Sequence, residues 1–122
     1  MQVDFAESFQ ERLRILEAFM LAQDPESALA RIEDLHETIL RFVELVKLHP
    51  KIGRPASMLA ASSIEGQIRL EKVLRLAVDA GLPELREYVL PSHLVLYAQS
   101  DSRVLMLSVR HQRELGYAPD AD

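Results

Sequence analysis

The chain contains no cysteine in its 122 residues, which excludes a disulfide framework, a thiolate nucleophile and a cysteine-ligated metal site. No apolar run approaches the roughly 18–20 residues that a membrane-spanning helix needs. The opening residues Met1–Phe5 also lack the basic start and the apolar stretch of a signal peptide. Together these absences predict a cytoplasmic protein.

Excess positive charge is also missing, because the chain has 19 acidic and 14 basic residues and a net charge of −5. The acidic excess lies in residues 1–50, and the rest of the chain is close to neutral. Proteins that bind nucleic acid usually carry a basic patch and a high pI. The composition therefore disfavours a general nucleic-acid binder, although it leaves room for a local arginine cluster that contacts phosphate.

The first half of the chain has the pattern of two amphipathic helices after a short strand. Polar and apolar residues alternate over Gln2–Phe5, which indicates the strand. Ser8 is the predicted N-cap of the first helix, and Asp24 followed by proline is typical of the boundary between the two. The apolar stripe of the second helix continues to Leu48. The pattern predicts an antiparallel helical hairpin whose core includes Phe9, Phe19 and Phe42.

The last third of the chain changes to the pattern of strands. β-Branched, aromatic and leucine residues dominate Leu85–Leu90, Leu94–Ala98 and Val104–Val109, and hairpin-length turns separate these runs. We expect a three-stranded antiparallel meander with the helical hairpin over one face. The sequence thus predicts a single α+β domain over residues 1–122, with a flexible tail at 118–122.

Two further segments connect the hairpin to the meander. Residues 49–55 contain two prolines and a glycine, which predict an ordered turn. Ser62-Ser63-Ile64-Glu65 has the form of a capping box. A third helix is expected from there until Gly81 and Pro83 end it.

The turn and the strands together resemble a known toxin family. Pro50-Lys51-Ile52-Gly53-Arg54-Pro55 resembles the P-x-I-G-R-P signature of ParE-type toxins. Leu85–Val89, Leu94–Tyr97 and Val104–Arg113 are similar to that family's C-terminal half, where an arginine opens the second strand, a tyrosine lies on the third and a histidine with basic residues follows the fourth. The chain therefore resembles the bacterial RelE/ParE superfamily of type II toxin–antitoxin systems, and within it the ParE, or plasmid stabilisation, branch. It departs from the family in about thirty residues, 56–84, which carry an inserted helix where members usually have a short loop.

The resemblance implies two alternative activities. ParE-type members bind DNA gyrase and block replication, whereas RelE-type members cut mRNA on the ribosome with strand-borne cations and a C-terminal acid or base. For the second chemistry, Arg86 matches the phosphate clamp, His111 the acid/base, and Arg110 and Arg113 flanking cations. Arg54 and Tyr97 are further candidate binding residues.

Each of these residues also has a structural interpretation. Arg86 would then be a solvated strand residue paired with a neighbouring acid, and His111 would hydrogen-bond the backbone at the strand end. Arg110 and Arg113 would contact an antitoxin or solvent. In the turn, Gly53 is expected to supply a positive φ, and Arg54 to anchor the loop at the C-terminal end of the second helix.

Neither a metal nor a cofactor is predicted. His36, His49 and His93 do not form the spacing of a metal site, and no nucleotide-binding or hydrolase motif occurs. Our first hypothesis is a gyrase-inhibiting toxin that acts by protein binding and causes growth arrest, held by a cognate antitoxin. The alternatives are a ribosome-dependent endoribonuclease and a degenerate, non-toxic member that acts as a binding module.

Overall fold

The computed structural model describes residues 1–56, 64–82 and 84–112, with residues 64–70 described by their backbone alone. Ser62 and Ser63 of the predicted capping box, Pro83, Arg113 and the predicted tail lie outside the described residues. The elements in chain order are β1 (Gln2–Phe5), α1 (Glu7–Gln23), α2 (Pro25–Leu48), β2 (Arg54–Pro55), α3 (Ile64–Asp79), β3 (Glu84–Val89), β4 (His93–Gln99) and β5 (Arg103–His111). Within the described ranges, no helix is long and apolar enough to cross a membrane.

The strands form one five-stranded mixed sheet in the order β1-β5-β4-β3-β2. The meander of β3, β4 and β5 is antiparallel, as predicted, and β1 pairs in parallel with β5. At the other edge, Arg54 and Pro55 pair with β3 as a two-residue strand, where the sequence indicated a turn. The α+β class is therefore confirmed.

The helical hairpin covers one face of the sheet. The apolar stripes of α1 and α2 pack on residues that alternate along the strands, because successive strand side chains point to opposite faces. This core includes Phe9, Leu16, Met20, Leu35, Ile39, Phe42, Val46, Val95, Tyr97, Val104, Met106 and Val109. The prediction for Phe19 was wrong, since 61% of its surface is exposed near the end of α1.

The inserted helix α3 covers the opposite face, so the sheet lies between two helical layers. Ala77 and Leu82 are buried there against the alternate strand residues Leu94, Leu96, Ala98 and Leu107. Gly81 ends this helix with a φ of +73°, a left-handed conformation that glycine adopts without a Cβ penalty. The glycine stop was predicted. The second covered face was not, because the sequence does not say where an inserted helix packs.

The starts of α1 and α2 test the predicted N-caps, and neither N-cap side chain bonds to the helix backbone. Ala6, not Ser8, is the N-cap of α1, and the Ser8 hydroxyl instead donates to the Leu107 carbonyl of β5 at 2.6 Å. Asp24 is the N-cap of α2, as predicted, with a proline directly after it. The hydroxyl of Ser27 donates to the Asp24 carboxylate at 2.8 Å and lowers the pKa of that carboxyl.

Candidate functional site

Tyr97 fastens the loop after α2 to the sheet. Its side chain is fully buried, and its hydroxyl accepts a hydrogen bond from the Gly53 N–H at 2.9 Å. The same hydroxyl donates to the Pro50 carbonyl, also at 2.9 Å. Burial raises the pKa of Tyr97 above its ordinary value, so the phenol keeps the proton that it donates. The predicted binding residue Tyr97 thus has both of its hydrogen-bonding roles filled by the loop.

Gly53 is required here for a different reason from the one the sequence indicated. The predicted positive φ was wrong, because Gly81 is the residue with positive φ in the described part of the chain. A Cβ on Gly53 would lie 2.7 Å from the Glu87 carbonyl oxygen and 2.8 Å from the Tyr97 hydroxyl. Glycine is needed because loop and sheet backbones approach too closely for any side chain.

Arg86 holds the same loop from β3. It pairs with Tyr97 across the strands, so both side chains point to the hairpin face. Its guanidinium donates to the Gly53 carbonyl at 2.7 Å and to the Lys51 carbonyl at 3.4 Å, and it pairs with the Glu84 carboxylate. The side chain is 14% exposed, so it is not the solvated arginine of the structural alternative. It does pair with a neighbouring acid, as that alternative expected.

Arg54 does not anchor the loop to α2 as expected. Its Nε donates to the Glu87 carboxylate at 2.8 Å, and Glu87 is buried on the face that α3 covers. Because Arg54 and Glu87 are also register partners, this ion pair fixes β2 on β3. Arg86 has the anchoring role that the sequence assigned to Arg54. The sequence gives little signal for this difference, because which arginine bonds to the loop depends on how β2 pairs with β3.

The other candidate residues lie at the opposite end of the strands. His111 pairs with His93 across β5 and β4, and their rings meet edge to face at 5.2 Å. Arg110 pairs with Leu94, which belongs to the α3 face, and its Nη1 donates to the His111 carbonyl at 3.3 Å. His111 therefore faces the helical hairpin, whereas Arg110 points to the other side of the sheet.

Arg86 and His111 are not brought together. Arg86 lies beside Tyr97, four residues along β4 from the partner of His111, and β4 lies between β3 and β5, so the two strands are two strand spacings apart. With a rise of about 3.4 Å per residue and a strand spacing of about 4.8 Å, their Cα atoms are roughly 16 Å apart. Phe42 stacks on Tyr88 between them, with ring centroids at 4.6 Å. One scissile phosphate does not span this apolar layer.

His93 is the site residue that sequence reasoning missed. It lines a cleft of about 300 Å³ between α1, α2, the β3–β4 turn and the end of β5, together with Met20, Arg31, Asp34, Leu35, Thr38, Leu90, Pro91, Ser92 and His111. Burial, then the neighbouring His111 and Arg31, lower the pKa of His93 to about 4. The alternation of His93, Val95 and Tyr97 along one face of a strand was the signal for its burial. Among the described residues, no group of three or more His, Asp or Glu is placed to hold a metal ion.

Replacing Tyr97 by phenylalanine is expected to lower the free energy of unfolding by about 1–3 kcal/mol. The substitution keeps the ring but leaves the Gly53 N–H and the Pro50 carbonyl without their partner. Chemical denaturation of the variant and the parent chain measures the difference. Tyr88→Phe is the matched control, because Tyr88 is partly buried on the same core. An equal loss in both variants would show that the anchor does not depend on the Tyr97 hydroxyl.

The comparisons with known proteins agree with the architecture. The family model described as the ParE toxin of the type II toxin–antitoxin system, parDE, matches residues 3–116. Among the described residues, that range includes all three helices, α3 among them, and the five strands except for Gln2, the first residue of β1. No curated protein matches the chain closely enough to count as a relative.

Proposed function

The chain belongs to the ParE toxin family of type II toxin–antitoxin systems, and on this premise we propose that it arrests growth by binding DNA gyrase. A cognate antitoxin neutralises it. The observation that carries the proposal is the family match, because it extends over residues 3–116 and is not limited to one motif. The resemblance in the Gly-Arg-Pro turn and the strands points to the same branch.

The separation of the candidate catalytic residues also supports a protein-binding toxin. A nuclease centre needs its cation and its acid or base within hydrogen-bond reach of one phosphodiester. Arg86 instead donates to the carbonyl of Gly53 at 2.7 Å, at the far side of the Phe42 layer from His111. The net charge of −5 is also unfavourable for a protein whose affinity would depend on phosphate contacts.

The hairpin offers apolar surface for a protein partner. Phe19 near the end of α1 and Leu29 near the start of α2 are 61% and 70% exposed, close to the turn that joins the helices. Large apolar side chains exposed together commonly mark protein-binding surfaces. We assign this end of the hairpin to gyrase.

The antitoxin has a different place available. β1 and β2 are the edge strands of the sheet, and an edge strand has backbone groups that a partner strand pairs with. A partly disordered antitoxin that orders on binding gains main-chain hydrogen bonds at such an edge. Because the edge strands and the hairpin end are different parts of the chain, variants at each of them test the two partners separately.

Induction of the chain alone in a bacterial host is expected to stop DNA synthesis before protein synthesis. Pulse-labelling of both processes after induction measures the order, and supercoiling by purified gyrase with and without the purified chain tests the target directly. Translation stopping first, with gyrase unaffected, would favour the endoribonuclease and direct attention to Arg86 and His111. If growth is unimpaired and gyrase is not inhibited, the result would favour the alternative of a non-toxic binding module.

Phe19→Ser is expected to weaken gyrase inhibition about tenfold or more while the antitoxin still binds. The exposed position makes the change nearly neutral for stability. Leu48→Ser is the matched control, because Leu48 is also exposed but lies at the other end of α2. If both variants inhibit gyrase equally, the hairpin end is not part of the gyrase interface.

A further inference from the structure

The cleft around His93 contains a buried nitrogen without a partner. His93 is 7% exposed, and its Nε2 makes no hydrogen bond. A buried polar atom that bonds to nothing costs free energy, so such atoms are rare unless a ligand or water satisfies them. His93 lines the cleft together with His111.

Arg31 on α2 supplies positive charge beside this nitrogen, and it contributes with the neighbouring His111 on β5 to the lowered pKa of His93. Asp34, on α2, is the acid that lines the same cleft. Ser92 in the β3–β4 turn adds a hydroxyl, and Met20 of α1 is apolar. The ligand that suits an unpartnered nitrogen in such a field is an anion.

We propose that the cleft binds an oxyanion, held by the Nε2 of His93 with Arg31 and His111 beside it. The oxyanion is either the carboxylate of an acidic side chain of the antitoxin or free phosphate, which share the same acceptor oxygens. A volume of about 300 Å³ is at the lower limit for ligand pockets and fits one such group. If the oxyanion is a carboxylate of the antitoxin, the inference rests on the antitoxin of the proposed function. The site itself does not depend on whether the chain binds gyrase.

Imidazole NMR of the full chain tests the site, with sodium phosphate as the probe at constant ionic strength. The resonances of His93 are expected to shift saturably, and its titration midpoint is expected to rise as the bound anion stabilises the imidazolium. His36 is an internal control, because it pairs with Glu17 at 2.7 Å on the outer surface of the hairpin. An equal drift of His36 would overturn the site, and so would the absence of a saturable shift at His93 both here and in the antitoxin complex described below.

Substitutions on α2 distinguish the loss of an arginine in the cleft from the loss of any positive charge on the helix. Arg31→Gln is expected to weaken phosphate binding about tenfold, because it removes one charged partner. Arg41→Gln is the matched control, since Arg41 is an exposed arginine of the same helix that pairs with Glu37. Both side chains are exposed, so the fold survives either change. Equal affinities in the two variants would contradict a role for Arg31.

A second sample identifies the source of the oxyanion. The chain is purified in complex with its antitoxin in a buffer that contains no phosphate. A raised midpoint of His93 in this complex, with no further response to added phosphate, assigns the site to an antitoxin carboxylate. A midpoint that moves only after phosphate is added assigns it to free phosphate. If His93 responds in neither sample, the inference fails, whatever the outcome of the gyrase assays.

Discussion

Gly53→Ala is expected to lower the free energy of unfolding by about 2–4 kcal/mol. The new methyl would lie 2.7 Å from the backbone carbonyl oxygen of Glu87 and 2.9 Å from the Cε1 of Tyr97. Neither neighbour is the mobile end of a side chain, so the loop must move away from the sheet. That movement lengthens the hydrogen bonds that Gly53 makes with the Tyr97 hydroxyl and with Arg86.

Denaturant unfolding of the variant measures this loss, and Gly81→Ala provides the comparison. A Cβ on Gly81 would meet no atom within 4 Å, so its cost comes from the positive φ alone and is expected to be about 1 kcal/mol. Combining Gly53→Ala with Tyr97→Phe should not restore stability, because the clash with the Glu87 carbonyl remains. Restoration in the double variant would mean that the tyrosine hydroxyl, not the backbone, limits the approach.

The free energy of unfolding is expected to fall as the pH drops from about 6.5 to about 4 in a buffer without phosphate. The pKa of His93 is lowered to about 4 in the folded chain, against an ordinary value of 6.5. Between these values the unfolded chain binds a proton at His93 that the folded chain does not, so stability is lost as the pH falls. The contribution of His93, complete above pH 6.5, amounts to about 3 kcal/mol at most.

Denaturation curves of the parent chain and of His93→Gln across this range isolate that contribution. Glutamine does not titrate, so the variant should lose much less stability between pH 6.5 and pH 4. If the His93→Gln and parent curves have the same slope, the imidazole is not buried in its neutral form.

Strong periodicity made most of the elements predictable. The stripe of α2, from Ile32 to Val46, and the alternation of Val95 and Tyr97 each allow one buried face. The hairpin and the meander followed from them. Sequence did not show that β1 lies beside β5 or that α3 covers the second face, because both depend on pairings between distant segments. Leu29 fits the apolar periodicity of α2 but is 70% exposed, because the neighbouring Ala28 is the residue that is buried at this turn of the helix.

The candidate site was predictable in its parts and not in its arrangement. Motif resemblance selected Arg54, Arg86 and Tyr97, and the structure brings all three to the loop around Gly53. The same reasoning joined Arg86 to His111, which strand register separates by roughly 16 Å. Residue type alone did not select His93, because its burial and its missing hydrogen bond are properties of the folded chain.

The parallel pairing of β1 with β5 also affects when this protein becomes active. Val3 pairs with Val104, so this edge of the sheet cannot close until the segment that contains Val104 has left the ribosome. Until then, the apolar residues on both faces of β4 and the apolar stripes of α1 and α2 lack part of the surface that they pack against. Release of a folded toxin is therefore a late event in its synthesis.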